Sequence, residues 1–438
     1  MNYDGFIKYK AEKIGKESTV SEIVRLVIEA SNTKTPIAKI VDKISGVFVP
    51  VVIIIAIITL IIYLLLGFSI GKAIITFVTI LVVACPCSLG LATPLAMVIS
   101  EGLCASNGIL VKKSEILENA SKINTIVFDK TGTLTYGKLK ISKIYNYSSL
   151  KDNDILQLAG SIETKSTHPI GKAFTDYMKE NKIAKLQVNN FEDVSGFGII
   201  GEIQKQKIIL GNRKILTKYN IENKYEENEK ELAKQGNSII YVIKDSKIMA
   251  LIGVNDIIRE NAKQVIEKIN EKNIETIMLT GDNKDTAEKI GKELGITKVI
   301  ANVLPKEKAE MIKNLKLQNK NVMMCGDGIN DSPALANANI GVSVKSGTDI
   351  AMDSSDVILT KNDLESILKL INISEKTIKN IKQNLFWAFF YNSLMIPIAI
   401  GILNPIGITI NPMWASLSMV CSSLTVILNA LRLKKYKV

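Results

Sequence analysis

The chain has 438 residues, 47% of them apolar and 22% charged, with 55 Lys+Arg against 43 Asp+Glu. These values exclude a disordered, collagen-like or disulfide-scaffold protein, and the length implies about three domains. With so many charges, a mean hydropathy of +0.19 requires the apolar residues to be segregated into runs.

Residues 1–45 are polar and helix-patterned, with Ile23, Val24, Val27 and Ile28 at helical spacing. The mixed charge of Met1–Ser21 is not that of a signal peptide. Ile44–Gly71, Ala73–Ser100 and Leu385–Leu431 carry no charge, and each reaches the roughly 20 residues that cross a bilayer. The last run is long enough to cross twice, with Asn404-Pro405 and Asn411-Pro412 marking the turn. Four spans are expected, near 47–67, 74–99, 385–403 and 413–431. The basic tail from Arg432 to Lys437 places itself inside the cell. Four spans then put both termini and the polar stretch 101–384 in the cytoplasm of a multi-pass cell-membrane protein. Aromatics at 6%, with no interleaved basic stripe, argue against nucleic acid. Five cysteines at irregular spacing argue against a disulfide framework.

Beyond the second span, strand-like and helical patterns alternate. A buried-strand run, Thr125-Ile126-Val127-Phe128, leads into Asp129-Lys130-Thr131-Gly132-Thr133. The arrangement recurs at Thr276–Leu279 before Thr280-Gly281-Asp282, and at Asn321–Met324 before Gly326-Asp327-Gly328. Helical stretches at Arg259–Glu271, Asp285–Leu294 and Lys306–Leu317 predict a parallel, doubly wound sheet. Such sheets bind ligands outside the carboxyl ends of their strands, where all three acidic turns fall. Residues 138–248 read differently. Short alternating runs at Lys207–Leu210 and Ser238–Ile243 predict an antiparallel sheet with helices, inserted into the first domain.

A strand-end carboxylate attacks phosphorus only when the phosphate is neutralised and held in line. Asp129 is the candidate nucleophile, with donors at Lys130, Thr131 and the Gly132 turn. Thr280 and the Gly281 amide, beside Asp282, are candidates to hold the transferred group, and Lys308 to supply a fixed positive charge. Asp327 and Asp331 offer hard oxygens suited to Mg²⁺. A lone strand-end Asp is more often structural than catalytic; three acidic turns in this order reverse that balance.

Together, Asp-Lys-Thr-Gly-Thr at 129–133, Thr-Gly-Asp at 280–282 and Gly-Asp-Gly-Ile-Asn-Asp at 326–331 resemble the phosphorylation domain of P-type ATPases, within the haloacid-dehalogenase superfamily. The resemblance implies that Asp129 becomes an aspartyl phosphate drawn from ATP, with Mg²⁺ held by Asp129, Asp327 and Asp331. It also implies that 138–248 is the nucleotide-binding domain. Ser166-Thr167-His168-Pro169, which holds the chain's one histidine, is similar to the Ser-Glu-His-Pro motif of the heavy-metal subclass, with Thr167 in place of Glu. Glu163, Gly196, Gly198 and Asn212 match that subclass's other nucleotide-contacting positions.

Cys85-Pro86-Cys87 falls near the middle of the second span. Proline breaks a helix, and breaks within a bilayer are tolerated where they line a site. Two thiolates suit Cu(I) and other thiophilic ions, and the motif resembles the metal site of heavy-metal P-type ATPases. Tyr391-Asn392 and Met419-Val420-Cys421-Ser422-Ser423 look like the Tyr-Asn and Met-x-x-Ser-Ser patterns of the Cu(I)/Ag(I) branch. That likeness makes Tyr391, Asn392, Met419 and Ser423 further copper ligands. The zinc/cadmium/lead branch carries a membrane Lys and Asp, which Leu385–Leu431 lacks. Cys104, Cys325 and Cys421 read as small hydrophobes.

The expected architecture is a four-span α-helical membrane bundle plus an α/β, doubly wound, Rossmann-like phosphorylation domain with an inserted α+β nucleotide-binding domain. Its parts are an actuator-domain remnant and linker at 1–45, two spans with the metal site at 46–100, the phosphorylation domain at 101–137 and 249–370, the insert at 138–248, and two spans with a cytoplasmic tail at 371–438. The family's Thr-Gly-Glu loop, which hydrolyses the aspartyl phosphate, has no counterpart in this sequence. The resemblance implies ATP-driven export of Cu(I) or Ag(I), with a soluble copper chaperone and a separate chain supplying the actuator domain as partners. A zinc, cadmium or lead transporter and a non-transporting ATP-binding fragment are the alternatives. A dehalogenase-type phosphatase is disfavoured, because Thr131 stands where such enzymes carry a second Asp.

Overall fold

The computed structural model describes residues 35–85, 87–166, 169–194, 196–282, 284–327, 331–344, 353–361, 363–407 and 409–436. The expected actuator remnant up to residue 34 therefore lies outside the described residues. The chain divides into two units, one formed by residues up to Ile123 together with those from Ser355, the other by Asn124–Ser354.

The first unit opens with α1 (Pro36–Leu65), whose start is fixed by Thr35 accepting a hydrogen bond from the Ala38 amide and by Pro36 in the first turn. Helix α2 (Ile70–Val83), capped by Ser69, stops at Ala84 and Cys85. The chain resumes as α3 (Cys87–Ser106), so the apolar run 74–99 is two helices and not one. Strand β1 (Ile109–Val111) and α4 (Glu115–Ala120) follow.

The second unit begins with β2 (Thr125–Asp129), buried along its whole length, and a tight turn at Lys130–Leu134. A six-stranded antiparallel sheet comes next. Its strands are β3 (Thr135–Asn146), β4 (Asn189–Val194), β5 (Gly198–Ile203), β6 (Gln206–Gly211), β7 (Ser238–Lys244) and β8 (Lys247–Ile258), in spatial order 3-8-7-6-5-4. Alternation assigns the two faces. Ile208, Leu210, Ile240 and Val242 pack with Ile155, Leu156 and Phe174 of α5 (Asp152–Glu163) and α6 (Pro169–Glu180). Ile209, Tyr241 and Ile243 pack with Ile215, Leu216 and Leu232 of α7 (Arg213–Lys218) and α8 (Glu226–Lys234). The sheet starts at Thr135 and ends at Ile258, wider than 138–248, because β3 and β8 pair through to Thr135 and Ile258.

The chain then returns to the sheet that β2 began. Helices α9 (Ala262–Glu271), α10 (Lys284–Leu294), α11 (Pro305–Leu317) and α12 (Ser332–Asn337) alternate with β9 (Glu275–Leu279), β10 (Lys298–Ile300), β11 (Val322–Gly326) and β12 (Ile340–Val344). These strands pair in parallel with β2 in the order 12-11-2-9-10. Val127, Ile277, Leu279, Val322 and Met324 form a core with Ile312, Leu315 and Leu335. Strands buried on both faces read as continuous apolar runs, which is why the unbroken runs before each acidic turn, and not an alternating pattern, located them.

In the first unit, β13 (Val357–Leu359) pairs antiparallel with β1. Helix α13 (Glu365–Ile400) ends at Gly401, where φ is +96°. Helix α14 (Pro412–Leu431) begins at Asn411, whose side chain accepts from the Trp414 amide at 3.0 Å. Polar bonds tie these helices together: Tyr63 Oη donates to the Ile400 carbonyl at 2.8 Å, Thr377 Oγ1 to Ser100 at 2.6 Å, and Ser422 Oγ to Ser88 at 3.2 Å.

Among the described residues, three stretches are long and apolar enough to cross a membrane: Pro36–Leu65, Ile70–Ser106 and Pro412–Lys435. The fourth expected span, 385–403, is not one of them. Its uncharged part starts at Leu385 and the helix ends at Ile400, about 24 Å at the α-helical rise, against a hydrocarbon thickness of about 30 Å. The turns before it carry Lys376, Lys379 and Lys382.

Candidate functional site

Because β2 lies between β11 and β9 and all three run parallel, their carboxyl ends coincide. Asp129 ends β2, Thr280 follows β9 and Asp327 follows β11. Asp129 and Lys308 are 5% and 7% exposed. Lys308, from α11, donates to Asp129 Oδ1 at 2.5 Å and to Asp331 Oδ1 at 2.7 Å. One carboxylate oxygen each from Asp129, Asp327 and Asp331 lie within 4.8 Å of one another.

Burial, followed by the charge of Asp331, pushes Asp129 up to about 7, against the opposing pull of Lys308. Burial and Asp331 also push Asp327 up to about 6. Burial works to depress Lys308, yet the charges of Asp129 and Asp331 outweigh it and hold the ammonium above its usual range. One lysine against three close carboxylates leaves negative charge uncompensated. An oxygen-only donor set of that kind fits a hard divalent cation such as Mg²⁺.

The turn after Asp129 is shaped by contacts that sequence reasoning missed. Arg259, 2% exposed at the end of β8, donates to the carbonyls of Gly132 at 2.7 Å and Thr133 at 2.6 Å, and to Thr135 at 3.1 Å. Thr135 Oγ1 accepts from the Gly132 amide at 3.0 Å and contacts Asp256 Oδ2 at 2.5 Å. The available signal was an acid and an arginine three residues apart at the end of an otherwise apolar strand. Thr131 itself is exposed. Lys130 is held by Asp282 at 2.5 Å, so these two neutralise each other at the rim. Thr280 is buried, and its hydroxyl accepts from the Asp282 amide at 3.1 Å. The Gly281 position has backbone 3.5 Å from where a Cβ would sit.

A second concavity of about 400 Å³ lies in the six-stranded half of the same unit. Glu163, Gly196, Gly198 and Asn212 all line it, with Asp193, Phe197 and Ile240. Glu163 closes α5 and is buried; burial first, then the charge of Asp193, pushes it up to about 7. Gly198, at φ +153°, has the Leu210 carbonyl 2.0 Å from a hypothetical Cβ, so no side chain fits. Asn212 caps α7 through the Lys214 amide and donates to the Gly196 carbonyl at 3.0 Å, which commits both ends of its amide. His168 lies outside the described residues.

In the membrane unit, Cys85 terminates the segment after α2, and Pro86 and the side chain of Cys87 lie outside the described residues. Cys104 and Cys325 are buried free thiols and Cys421 is an exposed one. Asn392 is buried; Tyr391, Met419 and Ser423 are half-buried. Ser422, beside Ser423, bonds Ser88 in the first turn of α3, which brings α14 against the helix that starts at the break.

Residues 123–339 match the haloacid dehalogenase-like hydrolase family. Over its whole length the chain is 41% identical to a copper-exporting P-type ATPase of Staphylococcus haemolyticus, of which it covers 54%. It thus spans about half the length of the curated relatives it matches. The fold superposes on a zinc-transporting PIB-type ATPase in the E2·Pi state with a TM-score of 0.81, at 28% identity, covering 96% of this chain and 68% of that one. It also matches the catalytic domain of the CPx-ATPase CopB-B at 32% identity, over 62% of this chain and 98% of that one, with a TM-score of 0.52. With the strand-end aspartates gathered around Lys308 and a Cys-Pro-Cys break in a membrane helix, this chain belongs to the PIB, or CPx, class of P-type ATPases.

Proposed function

We propose that this chain is the ATP-consuming, metal-gating part of a Cu(I) exporter that works through a phosphoenzyme. The observation that carries the reading is the convergence of Asp129, Lys308, Asp327 and Asp331 at the carboxyl edge of one parallel sheet. In this reading Asp129 attacks the γ-phosphorus of ATP, forming an acyl–phosphate bond as the bond to ADP breaks. Lys308 holds the attacking carboxylate in place and offsets the charge around it, and Thr280 with the Gly281 amide receives the transferred group. Asp129, Asp327 and Asp331 would hold Mg²⁺, which supplies neutralisation of phosphate charge when bound. Glu163, Gly196, Gly198 and Asn212 form the wall for the nucleotide, joined by His168.

In the membrane, Cys85 and Cys87 in their reduced form supply soft donors to Cu(I) or Ag(I), with Tyr391, Asn392, Met419 and Ser423 as neutral partners on α13 and α14. Neutral partners suit a monovalent ion, because two thiolates already exceed its charge. The soluble parts and both termini face the cytoplasm, consistent with the basic Arg432–Lys435 segment directly after α14. A soluble copper chaperone would deliver the ion. A separate polypeptide or segment bearing the Thr-Gly-Glu loop would complete the cycle.

The test is phosphorylation of the detergent-solubilised chain by γ-labelled ATP with Mg²⁺, followed by acid quench. Acid-stable, hydroxylamine-sensitive label is expected on the wild type and none on Asp129→Asn, because an amide is not a nucleophile at phosphorus. Equal label on both would remove Asp129 from the role.

A further inference from the structure

We propose that the cleft between α1, α4 and α13 is a binding site for the headgroup of an anionic phospholipid of the inner leaflet. The cleft holds about 830 Å³ and lies entirely within the membrane unit. Its apolar wall is Ile37, Ile40, Phe386 and Trp387, and its polar wall carries Lys122, Lys379 and Lys382 with Glu118 and Glu375.

The outward face of α13 explains the position. Glu375, Lys379, Lys382, Gln383, Phe386, Trp387 and Phe390 are exposed at helical spacing. That face changes from charged to aromatic within one turn, between Gln383 and Phe386. Phe386 is 61% and Trp387 43% exposed, and Ile40 across the cleft is 59% exposed. Aromatic rings below lysines mark the level where acyl chains meet headgroups. A groove at that level presents hydrocarbon to a lipid's glycerol end and ammonium groups to its phosphate.

Charge favours an anionic lipid over a zwitterionic one. Glu118 is buried and already occupied, accepting from the Ile37 amide at 3.0 Å and from Lys122 at 2.7 Å. Lys379 and Lys382 form no ion pair among the described residues, whereas Glu375 has a partner of its own. The two lysines are one turn apart on the same face, a spacing that lets both reach the phosphodiester of one headgroup. The proposal needs only the membrane placement of these helices and is independent of which metal is moved.

Only two tryptophans are present, Trp387 in the cleft and Trp414 at the start of α14, so Trp387 can be read alone in a Trp414→Phe background. The chain is placed in nanodiscs whose lipid is progressively replaced by brominated phosphatidylglycerol or brominated phosphatidylcholine. Trp387 quenching is expected at a lower mole fraction of the glycerol lipid, by about fivefold for each lysine engaged. Lys379→Gln with Lys382→Gln should bring the two curves together while unfolding temperature and phosphorylation by ATP stay unchanged. Equal quenching by the two lipids in the wild type, or no quenching because protein covers the cleft, would overturn the proposal. So would relief of the quenching by millimolar inorganic phosphate, which would assign the site to a free anion.

Discussion

A Cβ built on Gly132 would lie 1.5 Å from Asp327 Oδ2, and Gly132 adopts φ +72°. The turn that follows Asp129, the proposed nucleophile, is therefore closed directly against a proposed Mg²⁺ ligand, with no room for even a methyl group. Gly132→Ala should cost about 1–2 kcal/mol for the left-handed backbone and displace the Asp327 carboxylate as well. Phosphoenzyme at saturating ATP is expected to fall at least tenfold and the Mg²⁺ requirement to rise. Wild-type Mg²⁺ dependence in the alanine variant would show that Asp327 is not held by this contact.

Lys308 is the cation shared by Asp129 and Asp331. Lys308→Met leaves two buried carboxylates facing each other, a change of the kind that costs about 3–5 kcal/mol. Urea unfolding should show that loss without divalent ions, and Mg²⁺ should recover part of it by substituting for the ammonium. A loss that Mg²⁺ does not touch would argue that the carboxylates do not hold the ion.

Glu163 gives a pH signature in the nucleotide-side cavity. Its native pKa, raised to about 7 from 4.5 by burial and then by Asp193, means the folded chain binds this proton more tightly than the unfolded chain does. The stabilisation is thus full below about pH 4.5 and is lost as pH rises through about 7. The span amounts to about 3 kcal/mol. Denaturant unfolding of Glu163→Gln should lack this fall between pH 5 and 8, whereas the wild type shows it. Parallel profiles would mean the carboxyl is not desolvated in solution.

Replacing Cys85 and Cys87 by Ser removes the soft donors from the break between α2 and α3. Bound Cu(I), measured by metal analysis under reducing conditions, is expected to drop, and nucleotide affinity should remain within about twofold. Full copper occupancy in the double variant would move the metal site elsewhere.

The sequence by itself determined the order and kind of elements, because those depend on local pattern. Apolar runs bounded by Asp-Lys-Thr-Gly-Thr and its two counterparts located β2, β9 and β11, and the Asn411-Pro412 turn marked the start of α14. It also named Lys308, since a motif carried it. Tertiary structure alone decided what meets across long chain distances. Arg259 reaches Gly132 and Thr133 from 127 and 126 residues away, and no local period reports that. The length of α13 inside a membrane was likewise not a matter of composition, because the αL turn at Gly401 ends the helix while apolar sequence continues. Local pattern fixes backbone hydrogen bonding within a segment. The partners of a buried charge are fixed only when folding removes water from it and leaves other protein groups as its remaining solvent.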